Sequence, residues 1–238
     1  MSNKQALKRA MARYAKEHGI DLPAGFVPRS DSFGVAAKDL LIAIQKRSGQ
    51  KADGICGPYT LMILGQYFMG DVGARAARCM EMLEGPIETG GNNLGSTVQA
   101  IQKLGVTELR PGNWPYCAAT VSWALRCAGW IHWESFIKSM SEAWVESWVI
   151  AAKSGKFGLS IVDWRRANRG DAIAFQFDAD PERDHVGMLR ARPSQSSGLV
   201  NTVEGNTGPG DSGPQGDGDG LWTRTRPAGS PNIIIRIS

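Results

Sequence analysis

Gly112-Asn113-Trp114-Pro115-Tyr116-Cys117-Ala118-Ala119-Thr120-Val121-Ser122-Trp123-Ala124-Leu125 reads as a loop that becomes a helix at a cysteine. Pro115 disfavours helical backbone at Trp114, and the apolar period begins just after it, so Cys117 falls in the first helical turn. A helix start carries about half a positive charge and unpaired backbone N–H groups. Both favour the thiolate, the nucleophilic form of cysteine. The same position also suits a small apolar residue packing a helix start. Cys127, on the same helix, and Cys56 and Cys79 have no comparable surroundings.

A thiolate needs a group that takes and returns a proton near neutral pH, which points to histidine. There are three. His18 precedes Gly19 at a helix end, where an imidazole commonly caps carbonyls, and His132 lies in Trp130-Ile131-His132-Trp133 after a helix. His185 begins Asp184-His185-Val186-Gly187-Met188-Leu189. On a strand His185, Gly187 and Leu189 share one face, with Val186 and Met188 on the other, and Gly187 leaves space beside the ring. His185 is the best placed. A third group should hold its far nitrogen, and the alternating run Val200-Asn201-Thr202-Val203-Glu204-Gly205-Asn206 offers Thr202, Glu204 and Asn206 on one face, of which Glu204 and Asn206 are chemically able to do it.

Outward from these segments, helices are expected at 76–83, 97–104, 117–128 and 141–153, and strands at 172–177, 186–190, 199–204 and 233–237. Helices followed by strands argue for an α+β domain with an antiparallel sheet. Ser96-Thr97-Val98-Gln99 has the form of a capping box. Residues 1–70 differ. Leu7, Met11, Tyr14 and Ala15, then Ala37, Leu40, Leu41 and Ile44, are spaced as one face of a helix. Asp53-Gly54-Ile55-Cys56-Gly57-Pro58 is a tight turn, with Ile55 expected to plug the core and Pro58 opening a third helix. The pattern weakens at Gly70, Asp71 and Gly73. The expected organisation is therefore a three-helix unit at 1–70, a linker at 71–75 and the α+β domain at 76–238.

The first unit resembles the peptidoglycan-binding domain family through Ile44-Gln45, Asp53-Gly54-Ile55, Gly57-Pro58 and Thr60. The resemblance implies a bacterial-wall ligand held around Gln45, Asp53, Gly54, Gly57, Pro58 and Thr60. The second resembles the CHAP family of papain-like, NlpC-type amidases and peptidases. Its carriers are Trp114-Pro115-Tyr116-Cys117-Ala118-Ala119, Gly170-Asp171-Ala172-Ile173-Ala174-Phe175, His185-Val186-Gly187 and Val203-Glu204-Gly205-Asn206, in the family's order. Glu88-Thr89-Gly90-Gly91-Asn92-Asn93-Leu94-Gly95 resembles the segment that precedes the nucleophile helix in such proteins. The implied roles are Cys117 as nucleophile, His185 as base and Glu204 as orienting group, with Asn206 contributing. Many CHAP members have Gln before the nucleophile, where this chain has Tyr116. The Cys117 N–H supplies one oxyanion donor, Asn113 or the Tyr116 hydroxyl is the candidate second, and Trp114 is a candidate lining of the substrate groove.

Together the two resemblances imply an endolysin-like hydrolase of stem-peptide amide bonds, either a muramoyl-alanine amidase or an endopeptidase. Its partner would be peptidoglycan, and it would act as a monomer held in the host cytoplasm until holin-dependent release to the wall. A wall-remodelling enzyme, a toxin effector, a tail-associated lysin and a non-catalytic wall binder are the rival readings. No metal or other cofactor is expected. Some CHAP domains bind calcium, and the loop 205–220 carries Asp211, Asp217 and Asp219, but it lacks EF-hand spacing and reads better as a surface loop.

Composition narrows the classes further. Twenty-seven Lys and Arg against 23 Asp and Glu, a net +4, is far below the dense basic stripe of a nucleic-acid binder. No apolar run is long enough to span a bilayer, and none stands behind the basic residues of the first 16 positions as a secretory signal requires. The four cysteines have neither metal spacing nor the density of a disulfide framework.

Overall fold

A computed structural model of the chain describes residues 1–106, 110–141, 143–179, 181–210 and 218–238. It is a mixed α+β protein: helices come first and an open antiparallel sheet follows. The helices are α1 (Asn3–Glu17), α2 (Val35–Arg47), α3 (Pro58–Leu64), α4 (Val72–Glu81), α5 (Ser96–Gly105), α6 (Cys117–Cys127), α7 (Trp133–Ser139) and α8 (Val145–Lys153). The strands are β1 (Gly85–Pro86), β2 (Leu159–Val162), β3 (Ala172–Phe175), β4 (His185–Leu189), β5 (Leu199–Thr207), β6 (Gly220–Pro227) and β7 (Ile233–Ile237). Their order across the sheet is β1-β6-β5-β4-β3-β7-β2.

The two faces of the sheet do different work. Ala172, Ala174, Val186, Met188, Val203 and Leu221 join the large core beneath the helices. Ile173, Phe175, Leu189 and Val200 form a second, smaller cluster on the opposite face. This is the alternation expected of strands covered on both sides. Helix α6 is the hub: ten of its eleven residues are buried, and only Arg126 escapes. Small residues let its neighbours approach closely. A Cβ on Gly105 of α5 would lie 2.2 Å from the Ala119 carbonyl oxygen, and one on Gly205 of β5 would lie 2.3 Å from Thr120 Oγ1.

The N-terminal helices pack into the same core. Leu61, Leu64 and Phe68 share one apolar cluster with Trp123, Leu125 and Cys127 of α6. Gly65 sits against the Cys127 carbonyl, 2.5 Å from where its Cβ would stand, and Arg75 Nε donates to the Ala128 carbonyl at 3.1 Å. Residues 72–75, read from the sequence as linker, form the opening turn of α4, with Asp71 capping it through the Ala74 N–H at 2.8 Å. Gly73 is seated on the Gly170 carbonyl, which explains a glycine there without any hinge.

Several local expectations are corrected. Ser96 does not form a capping box: the N-cap is Gly95, with no side-chain cap bond. Helix α8 begins at Val145 rather than 141, and position 142 lies outside the described residues. Ile55 does not plug the core. It is 67% exposed and lines the open cavity beside the turn, while Leu61 and Leu64 of α3 are fully buried. Helix α7 and strands β1, β2 and β6 have no counterpart in the sequence reading.

Candidate active site

Cys117 is the first residue of α6 and is 5% exposed. The buried amide of Gln102 on α5 shapes the loop before it. Gln102 Nε2 donates to the carbonyls of Gly112 and Trp114, both at 3.0 Å, and Oε1 accepts from the Gly112 N–H at 2.9 Å. The helix entry is fixed by Thr120, whose N–H and hydroxyl both donate to the Tyr116 carbonyl, at 2.8 and 2.7 Å.

His185 opens β4 on the face opposite α6, the face it shares with Phe175 and Glu204. Thiol and imidazole therefore meet at the start of β4, not across the middle of the sheet. The ring is fully buried and stacks with Phe175 and Phe177, at centroid distances of 5.9 and 5.7 Å. Its Nε2 bonds Glu204 Oε2 at 3.0 Å. Nδ1 makes no hydrogen bond of standard geometry among the described residues, and it is the ring atom left for Cys117. Gly187 does leave space, but Glu204 fills it: a Cβ there would stand 2.5 Å from Glu204 Cγ.

Glu204 is itself fully buried and gripped from behind. Arg226 of β6 donates from Nε to Oε1 at 3.0 Å and from Nη2 to Oε2 at 2.5 Å, and the Thr202 hydroxyl also donates to Oε1. The Arg226 guanidinium lies 5.3 Å from the Phe175 ring and 5.4 Å from that of Phe177. Thiol, imidazole, carboxylate and guanidinium thus form a buried file of groups that alternate in sign when ionised.

The titration of each member follows from its neighbours. Burial opposes ionisation of Cys117, yet His185 beside it, aided by backbone hydrogen bonding at Val186 and Ala118, holds the thiol below its ordinary value. Burial likewise disfavours the imidazolium of His185, but Cys117 and Glu204 outweigh it and raise the group to about 9. Glu204, disfavoured by burial and favoured by His185 and Arg226, is lowered to about 2. The arrangement can hold a thiolate–imidazolium pair at neutral pH, which is what nucleophilic acyl transfer requires.

The remaining expected residues are placed as follows. Asn206 is buried at a β-bulge between Gly205 and Thr207, with φ of 59°, while the carboxylate partner of His185 is Glu204. Tyr116 is fully buried, its hydroxyl set towards Glu88 and the Asn206 backbone, and burial followed by the Glu88 charge drives its titration strongly upward. Asn113 is exposed, and its carbonyl receives Asn93 Nδ2 at 3.4 Å. Trp114 is half-buried, with its indole N–H on the Arg110 carbonyl at 2.8 Å. His18 bonds the Tyr67 hydroxyl at 3.2 Å through Nε2, and His132 stands at the N-cap of α7 beside Trp130.

Sequence reading missed Arg226 and Gln102, and it placed Thr202 on the face of Glu204 without giving it a role. The alternation Arg224-Thr225-Arg226 is a strand signal that would have put both arginines on one face. Nothing in the sequence announces Gln102.

A second constellation lies in the N-terminal helices. Gln45 is 2% exposed, and its Nε2 donates to Asp53 Oδ1, the Ile55 carbonyl and Thr60 Oγ1 at 3.1, 2.9 and 3.2 Å. Its Oε1 accepts from the Gly54 N–H at 2.8 Å, where Gly54 adopts a φ of 70° that favours glycine. Gly57 is the N-cap of α3, and Pro58 is its first residue. The Ile55 N–H, with Gln45 and Lys51 also contributing, holds Asp53 below the usual carboxylate range. Around this framework opens a cavity of about 410 Å³, lined by Gln45, Asp53, Ile55, Pro58, Tyr59 and Thr60 among others.

Among the described residues no group of three His, Cys, Asp or Glu is placed to hold a metal ion, and no helix is long and apolar enough to cross a membrane. Asp211 and Asp217, on which the calcium idea rests, lie outside the described residues, and Asp219 Oδ1 accepts from Trp222 Nε1 at 2.9 Å. No protein-family model, curated protein or solved structure matches the chain.

Proposed function

We propose that this chain is a cysteine-dependent peptidoglycan hydrolase of endolysin type, built from a wall-binding helical unit and a papain-like, CHAP/NlpC-type catalytic unit. The observation that carries the reading is the Cys117–His185–Glu204 file at the start of α6, with the thiol lowered and the imidazole raised. A structural role alone gives no reason to bury three ionisable groups in this order, since each must be desolvated.

In the reaction, Cys117 Sγ attacks the carbonyl carbon of a stem-peptide amide, forming a C–S bond and an oxyanion that takes the Cys117 N–H as one donor. Collapse breaks the C–N bond, and the His185 imidazolium gives its proton to the departing amine. Water then attacks the thioester while His185 takes the proton, and the carboxylic acid leaves as the thiolate returns. Glu204 keeps the imidazole oriented and stabilises its charge, and Arg226 keeps Glu204 ionised. The cavity around Gln45 supplies wall affinity. No metal or other cofactor enters any step. The scissile bond is a muramoyl-alanine amide or a peptide bond of the stem or cross-bridge, and the site of action is the bacterial wall after release from the host cytoplasm.

The test is digestion of purified peptidoglycan followed by mass spectrometry of the products. New amino groups, lost on Cys117→Ala or on iodoacetamide treatment, are the expected result. Release that survives both would overturn the assignment, and the product masses name the bond.

A further inference from the structure

A second charged site lies away from the thiol, where α4 meets the end of β4. Glu81 of α4 has a side chain only 1% exposed, yet three arginines converge on it. Arg78 Nη1 lies 2.8 Å from Oε2, Arg169 Nη2 lies 2.8 Å from Oε1, and Arg190 Nε lies 3.3 Å from Oε1. One carboxylate thus faces three guanidiniums, leaving a surplus of two positive charges. The arginines are only partly covered, with side-chain exposures of 18%, 29% and 36%. They line a cavity of about 320 Å³ together with Asn201. Arg9 and Arg13 line a small adjoining recess that also includes Arg78 and Arg169.

Three features distinguish this cluster from an ordinary ion pair. Its partners come from separate parts of the chain, so the fold brings like charges together against their repulsion. The Arg169 guanidinium is held on two sides, Nη1 donating to the Arg190 carbonyl at 2.5 Å and Nη2 facing Glu81, whereas Arg190 spends only its Nε on Glu81. Among the described residues the Nη donors of Arg190 therefore make no hydrogen bond, and they lie beside an open cavity. Planar guanidinium forks suit the tetrahedral oxygens of a phosphate, which they bind through paired charge-assisted hydrogen bonds.

We propose that the cavity bounded by Arg78, Arg169, Arg190 and Asn201 is a binding site for a phosphate group carried by an envelope component, either a glycerol-phosphate polymer or a phospholipid headgroup. The phosphate chemistry rests on the cavity alone, while the envelope source rests on the proposed function.

Isothermal titration of the full chain with inorganic phosphate, at constant ionic strength, tests it. Saturable binding is expected, weakened about tenfold or more in Arg190→Gln through loss of one charge-assisted contact and much less in Arg190→Lys. Arg190 is the most exposed of the three, and its loss leaves Glu81 paired to Arg78 and Arg169. Circular dichroism of each variant verifies folding, and Asn201→Ala, which lines the same cavity without pairing to Glu81, provides a second and smaller loss should Arg190→Gln unfold. Two further arms separate the sources: soluble glycerol 3-phosphate as competitor, and co-sedimentation with phosphatidylglycerol against phosphatidylcholine vesicles. Absence of saturable phosphate binding, or binding equal in wild type and the folded variants, would overturn the proposal.

Discussion

The Gln45 and His185 constellations are each organised around a buried polar side chain, and they differ in charge. Gln45 is neutral. Its amide satisfies four partners and pins the 53–60 turn as the wall of an open cavity. His185 sits in a sealed file with a carboxylate and a guanidinium behind it. A hydrogen-bonded amide is cheap to bury and gives a rigid surface, which suits recognition. Buried ions are costly, and the cost is offset only by close pairing, which suits a site that must hold charge ready for chemistry.

Five experiments sharpen or break that contrast. Cys117→Ala should reduce hydrolysis by about a million-fold, as loss of the nucleophile does in other acyl-transfer hydrolases, while leaving wall sedimentation intact. Glu204→Gln should cost about 3–5 kcal/mol of stability in chemical denaturation, because it leaves the Arg226 guanidinium buried without its carboxylate. Gln45→Ala should weaken wall sedimentation about tenfold with turnover of a soluble peptide unchanged. A parallel loss of turnover would erase the division of labour.

The smallest effect concerns pH. Glu204 is lowered from 4.5 to about 2, so its stabilisation is complete above 4.5 and fades as pH falls through 2. The melting-temperature gap between wild type and Glu204→Gln should therefore be steady above pH 4.5 and close below it. His185 is raised from 6.5 to about 9, so its contribution is complete below 6.5 and disappears as pH rises through 9. The alkaline limb of the rate profile should lie near 9 in wild type and move down in Glu204→Gln, since the carboxylate that sustains the imidazolium is gone.

Helix registers were legible because they are local. The apolar positions Ala37, Leu40, Leu41 and Ile44 are the buried face of α2, and the proline-to-cysteine boundary is where α6 starts. The alternation of β4 likewise separates Val186 and Met188 from Leu189 into different clusters. What escaped depends on distant partners. Arg224 and Arg226 look like solvent-facing residues until β6 pairs with β5 and delivers Arg226 to Glu204. Glu204 and Asn206 cannot be ranked by strand parity, because a bulge at Gly205–Thr207 breaks the parity between them. Glycines near position 70 look like loosened chain, whereas Gly73 is there because another backbone lies against it.

The continuity of the core past residue 70 carries a practical corollary for protein engineering. Leu61, Leu64 and Phe68 are covered by α6, and Met62 Sδ rests 3.4 Å from Cys127 Sγ. Excising either half would strip this greasy seam bare and invite aggregation. Chimeras that transplant the first helices as a free-standing cassette should fail unless a substitute for α6 travels with them.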